Sequence, residues 1–170
     1  MTDYNKREFR TVFSQPGIRY SQAEALIKSL MQDEKFRNMS LSERSRVTER
    51  ILDEIKGRMM EDIVLLETKL SRTDCEVFKL QFAVGEFDMV VFNPSLGSCE
   101  IYEIKRSMTQ TKEQYRHLID RKKCYETAFR YGDITGKYVI YRGETAVCAD
   151  TTAESDEIMY INVEEYLKKL

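Results

Sequence analysis

The chain has 170 residues, with 27 basic and 29 acidic side chains, one histidine and no tryptophan. This length predicts one domain with a short appendage, and 33% charged with 42% hydrophobic residues is typical of a globular protein. A single histidine excludes His-rich zinc centres and HExxH metalloprotease helices. No apolar run approaches the ~20 residues of a membrane span, and the charged N-terminus lacks a signal-peptide pattern. The four cysteines form no CxxC pair, so we expect reduced thiols and a cytoplasmic location.

Residues 1–40 are expected to form an N-terminal helical extension. Ser21, with Glu24 three residues later, resembles the start of a capping box and predicts a short helix after a Pro16-Gly17 turn. Residues 36–39 are interpreted as a connection. The remaining residues, 41–170, are expected to form the main domain.

A long helix should open that domain. Either Ser40 or Ser42 is its expected N-cap, and it should run to about Leu70. Apolar residues recur along it at steps of three and four, which is the spacing of a buried helical stripe.

From Cys75 onward the pattern predicts β-structure with short turns, followed by a charged helix. Three early strands with short links suggest antiparallel neighbours, and the later helix suggests a crossover to a parallel strand. The fold class is therefore α/β (α+β), with a central mixed sheet of four or more strands flanked by helices. The predicted strands are 77–84, 88–92, 99–105, 138–141 and 158–163, and the predicted helices are 109–131 and 164–170.

Acidic and basic residues gather near the ends of two of these strands. Glu103 and Lys105 are two residues apart, so they project from the same face, and Glu86 and Asp88 do so on the preceding strand. Carboxylates brought this close repel one another unless a cation neutralises them. Oxygen ligands of this kind suit Mg²⁺ or Mn²⁺, which can activate water and stabilise charge on a phosphate. A lysine two residues from a ligand could orient that water or stabilise the phosphate.

The arrangement resembles the PD-(D/E)xK nuclease superfamily, whose motif places an acid at one strand start and Glu-x-Lys on the next. Asp88, Glu103 and Lys105 match that motif, with residues 85–88 (Gly-Glu-Phe-Asp) in place of the proline-led form. The resemblance implies a restriction-endonuclease-like core (αβββαβ) and metal-dependent cleavage of phosphodiester bonds, in DNA more than RNA. It also implies a glutamate on the preceding helix: Glu61 fits as a third catalytic and metal-binding residue, and Asp62 competes with it. Glu86 is read as a surface acid.

The similarity is closest to the nuclease-like C-terminal domain of prokaryotic AAA-family ATPases, over about residues 45–145. It rests on residues 57–61, 85–92 and 102–105, and on Gln114 to Arg116. No GxxxxGK[ST] pattern is present, so the ATPase module is absent from this sequence, and the resemblance implies that the chain is part of, or partner to, a bacterial AAA-type ATPase.

A basic segment follows the Glu-x-Lys motif, with eight basic and three acidic side chains from Lys105 to Arg130. Beside a phosphate-cutting site, such a surface would contact nucleic-acid backbone. A solvated helix with ordinary i,i+4 pairs explains it equally well. His117 is read as structural. The candidate substrate-binding residues are Arg106, Lys112, Gln114 and Arg116.

Three readings of function remain open. The first is a metal-dependent nuclease using Mg²⁺ or Mn²⁺. The second is a catalytically inactive nuclease-fold module that binds nucleic acid or docks a partner, because fold alone does not establish activity. The third is a homo-oligomer joined through its sheet, with structural roles only.

Overall fold

A computed structural model describes residues 17–107, 115–143 and 158–170 of the chain. Contacts divide the chain into two units, Met1–Asp62 and Ile63–Leu170, so the division falls inside one long helix. The sequence predicted a division at residue 40, which stays a prediction. None of the described helices is long and apolar enough to cross a bilayer.

Helices α1 (Gly17–Gln32) and α2 (Glu34–Asn38) lie in the first unit and correct two expectations. Ser21 is not a cap: it lies inside α1, where its hydroxyl donates to the Gly17 carbonyl at 3.3 Å. Gly17 is itself helical, so the predicted turn does not include it. The segment expected to be a connection forms most of α2, because the Asp33 carboxylate accepts a 3.0 Å hydrogen bond from the Phe36 N–H and caps this helix.

Helix α3 (Leu41–Ser71) is the long helix that the apolar periodicity predicts. Ser40 and Glu43 form a capping box at its start. The Ser40 N–H donates to Oε2 of Glu43 at 2.8 Å, and the Glu43 N–H donates to Oγ of Ser40 at 3.3 Å. Two N–H groups that the helix itself cannot satisfy are thereby paired.

The second unit is built on a five-stranded mixed sheet whose spatial order is the order of the chain. The first three strands are antiparallel neighbours, and β4 and β5 are each parallel to the strand before. The expected antiparallel start and parallel crossover are confirmed. The strands are β1 (Glu76–Gln81), β2 (Glu86–Asn93), β3 (Ser98–Lys105), β4 (Asp133–Tyr141) and β5 (Ile158–Asn162).

Two further helices belong to this unit, α4 (Arg121–Tyr131) and α5 (Val163–Lys169). The sequence predicted one helix from 109 to 131. Residues 108–114 lie outside the described part. The described part of the predicted helix is interrupted before Arg121, because Asp120 caps a new helix by accepting from the N–H groups of Lys122 and Lys123 at 3.0 and 3.2 Å. Strand β4 likewise begins five residues before its predicted start, at Asp133.

The principal core cluster lies between the sheet and the chain that carries α4. Val90 of β2 pairs with Ile101 of β3, and both are fully buried in this cluster together with Leu118. Residues two apart on a strand share a face. Asp88 and Glu103 therefore continue this same face, two residues further toward one end of the sheet.

Of the four cysteines, the described Cys75, Cys99 and Cys124 carry no disulfide bond.

Candidate functional site

Strands β2 and β3 bring Asp88, Glu103 and Lys105 into one cluster. Met89 pairs with Tyr102 at the end of the β2–β3 ladder, and Asp88 and Glu103 are the next residues along the two strands. The Lys105 ammonium lies 2.5 Å from Oε2 of Glu103 and 3.3 Å from Oδ2 of Asp88. Because both carboxylate oxygens lie within 3.3 Å of the same nitrogen, the two acids are close to each other.

The backbone of β3 also fixes the Asp88 carboxylate. The N–H of Ile104, the residue between Glu103 and Lys105, donates a 2.8 Å hydrogen bond to Oδ2 of Asp88. That oxygen therefore receives one bond from the backbone and one from the lysine. The Glu-x-Lys motif therefore holds the Asp88 carboxylate through its middle residue, Ile104, as well as through Lys105.

Burial gives these groups unusual protonation behaviour. Glu103 is 1% exposed, and burial raises its pKa, which the neighbouring Asp88 carboxylate raises further. Lys105 opposes both effects, and the resulting pKa of Glu103 is about 8. Burial lowers the pKa of Lys105, but the two carboxylates outweigh it and hold that pKa above its ordinary value. Lys105 therefore stays charged, and Glu103 retains a proton that an exposed glutamate would release.

One oxygen in the cluster finds no partner among the residues that the structure describes. Oε1 of Glu103 is buried and has no hydrogen bond to any of them, an arrangement that costs free energy unless another donor or a cation is supplied. Two carboxylates and solvent are a donor set that Mg²⁺ accepts, since this ion commonly binds through one or two carboxylates and keeps several waters. Across residues 17–107, 115–143 and 158–170, no group of three or more His, Cys, Asp or Glu side chains could hold a metal ion. Asp88 and Glu103 thus fit a hydrated magnesium ion and do not form a closed cage.

Glu61 and Asp62 lie on the stretch of α3 that belongs to the first unit. The Asp62 carboxylate pairs with the Arg19 guanidinium of α1 through two contacts, one of them 3.3 Å from Nη2 to Oδ1. Asp62 therefore has a structural partner within its own unit. The assignment of Glu61 as a third site residue stays a prediction.

The expected substrate-binding residues fall in different places. Arg106 is exposed immediately after β3, and Arg116 is exposed in the turn that precedes α4. Lys112 and Gln114 lie outside the described residues. Glu86 begins β2 opposite Gln81 at the same end of the sheet as Asp88.

Two residues near the site were not predicted to act there. The Lys123 ammonium lies 2.6 Å from Nδ1 of His117, and Lys123 is only 7% exposed. Lysine is rarely buried, and the sequence placed Lys123 on an exposed basic surface, either contacting nucleic acid or solvated. The available signal was Asp120, a good N-cap residue, which indicates that a new helix begins there.

No family model, curated protein or solved structure matches this chain significantly. What the site can do has to be inferred from its own residues.

Proposed function

We propose that this protein is a metal-dependent nuclease of the PD-(D/E)xK type that hydrolyses phosphodiester bonds, with DNA as the favoured substrate. One observation carries the proposal: two buried acids, Asp88 and Glu103, share the ammonium of Lys105, while Oε1 of Glu103 has no partner within the described part of the chain. Strongly perturbed protonation of grouped carboxylates is more frequent at functional sites than elsewhere. The sequence motif supports the same assignment.

The roles follow from position and charge. Asp88 and Glu103 would hold the divalent cation, Mg²⁺ or Mn²⁺, and the sequence resemblance adds Glu61 as a further ligand. The cation would supply positive charge that lets both carboxylates ionise together and would offset charge on the phosphate. The Ile104 N–H keeps Asp88 in place. Lys105, whose side chain is about one-third exposed, would orient the attacking water or donate to a phosphate oxygen.

The test is an assay of the purified full chain with Mg²⁺ or Mn²⁺ on duplex DNA, single-stranded DNA and RNA. Lys105→Met and Glu103→Gln should each lower the cleavage rate by about 10²-fold or more, the range for losing a charge-stabilising group. Glu76→Gln, which removes an exposed glutamate from β1, is the matched control and should cleave at the wild-type rate. Equal cleavage by wild type and the two site variants would reject the nuclease.

A second candidate function is a nuclease-fold module that binds nucleic acid without cutting it. One observation favours it: the Lys105 ammonium already pairs with both acids. In the same assay, this alternative predicts DNA binding by wild type with no cleavage under either metal. Partnership with an AAA-type ATPase rests on the sequence resemblance alone.

A further inference from the structure

A second polar cluster lies between the β1–β2 turn and the start of α4. It is centred on the pair of Lys123 and His117, whose Nζ and Nδ1 atoms are 2.6 Å apart. Lys123 also lies 5.3 Å from the ring centroid of Phe82. Among the described residues no carboxylate pairs with this buried ammonium, and a buried cation without a counter-charge is costly.

The hydrogen bond determines which nitrogen of His117 carries the proton. An ammonium can only donate, so Nδ1 accepts and the neutral ring is protonated on Nε2. Burial is the largest cause that lowers the pKa of His117, and the charges of Lys123 and Arg116 lower it further. The ring therefore stays neutral. The Nε2–H group is therefore a donor, and none of the described residues accepts from it.

Gly85 leaves open the space on which these groups converge. A Cβ atom at this position would lie 2.7 Å from Cε1 of His117, 2.9 Å from Nζ of Lys123 and 3.1 Å from Nε2 of His117. Any side chain would fill that space. Two features favour glycine at this position: a Cβ atom would contact His117 and Lys123, and the backbone has a positive φ of 77°.

An open cavity of about 550 Å³ adjoins these groups, and Arg116 also lines it. Two acids share the lining, but each is engaged: Asp120 accepts from backbone N–H groups of α4, and Glu126 lies 4.0 Å from the Lys122 ammonium. The donors that remain are Lys123, Arg116 and the Nε2–H of His117. Such a set matches the oxygens of a phosphate group.

We propose that this cavity is a phosphate-binding subsite, held by Lys123, His117 and Arg116. The phosphate would belong to the nucleic-acid substrate, and in this respect the subsite rests on the proposed nuclease function. Gly85, which borders His117 and Lys123, directly precedes β2. The subsite therefore lies near the end of β2 that carries Asp88. The phosphate is then either a terminal monoester or an internal diester next to the scissile bond.

Binding of DNA by the full chain tests the subsite without cleavage if EDTA removes divalent metals. Fluorescence anisotropy should be measured on a 3′-labelled duplex, with and without a 5′-phosphate, at several salt concentrations. Lys123→Met should weaken binding about tenfold and reduce the salt slope by about one, as expected for one lost phosphate contact. Arg121→Met removes an exposed charge from the same helix and should weaken binding no more than about twofold. An effect confined to the 5′-phosphorylated duplex identifies a terminal phosphate, and an effect on both identifies an internal one.

Equal weakening by the two variants would overturn the subsite. A second measurement, NMR of the imidazole ¹⁵N signals, uses the wild-type protein and so does not depend on the folding of a variant. His117 is the single histidine, so these signals need no mutant for assignment. Titration of wild type with inorganic phosphate should shift the Nε2 signal to saturation, while chloride at equal ionic strength should not. Absence of that shift also overturns the subsite, even if the protein cuts DNA. A saturating shift in a protein that cleaves no nucleic acid with Mg²⁺ or Mn²⁺ would instead overturn the proposed nuclease and leave the phosphate site standing.

Discussion

The N–H of Ile104 donates a 2.8 Å hydrogen bond to Oδ2 of Asp88, across two neighbouring strands. An asparagine at position 88 keeps an oxygen that can accept this bond, whereas an alanine does not. We therefore expect Asp88→Asn to retain most of the stability and Asp88→Ala to lose about 1–3 kcal/mol, since it leaves a buried N–H unpaired. Urea unfolding in EDTA measures both. Equal losses would mean that the hydrogen bond contributes nothing measurable.

The pKa of about 8 for Glu103 predicts how stability changes with pH. The folded state keeps a proton that the unfolded chain releases near the ordinary value of 4.5, so between about pH 4.5 and 8 the folded state binds more protons. The contribution of Glu103 to the free energy of unfolding must therefore fall as pH rises through this window, by at most about 1.4 kcal/mol per pH unit. Glu103→Gln cannot titrate and should lack this decline.

The check is urea unfolding of metal-free protein at pH 5, 6.5 and 8. The stability of Glu103→Gln relative to wild type should increase steadily from pH 5 to pH 8. Parallel pH profiles for the two proteins would contradict the raised pKa.

Two glycines on neighbouring turns offer a matched pair of substitutions. Both have positive φ, 60° at Gly97 and 77° at Gly132, but a Cβ at Gly97 would meet nothing within 4 Å, whereas one at Gly132 would lie 1.7 Å from the backbone oxygen of Gly97. Gly97→Ala should cost about 1–2 kcal/mol through its left-handed backbone alone. Gly132→Ala should cost about 1–3 kcal/mol more, because backbone must move to admit the methyl group. Thermal and urea unfolding should rank them in that order, and an inverted order would refute the contact.

A buried hydroxyl pair joins α3 to α5 within the second unit. Oγ1 of Thr68 lies 2.8 Å from the hydroxyl of Tyr166. A double-mutant cycle with Thr68→Val and Tyr166→Phe should give a coupling of about 1 kcal/mol, because either single change leaves a buried hydroxyl without this partner. Strictly additive effects on the free energy of unfolding would show that the pair is not coupled.

Local signals were sufficient for the long helix and the sheet. The apolar stripe and the Ser40–Glu43 capping box are properties of consecutive residues, and so are the β-forming runs. The pairing of Asp88 with Glu103 could also be inferred, because a short turn between two strands makes them antiparallel neighbours.

Other features were missed because the same residues are compatible with more than one local structure. Ser21 carries a cap signal, yet its hydroxyl bonds the carbonyl four residues back inside a helix. The Asp33 cap begins α2, and Phe36 within this short helix is buried, which cannot be read from its polar neighbours. Lys123 faces inward because a helix restarts at Asp120, which a pattern of evenly spread charges does not reveal.

The sheet order, which follows the chain order, has a consequence for how the site is assembled. Asp88 and Glu103 belong to one hairpin, so they are joined by a short loop and need no distant strand to meet. Hairpins form in microseconds, faster than pairings that require a crossover. We expect the two acids to come together early in folding, before β4 and β5 extend the sheet. Lys105 lies on the same strand as Glu103, so the hairpin that brings the two acids together also brings the positive charge that pairs with them.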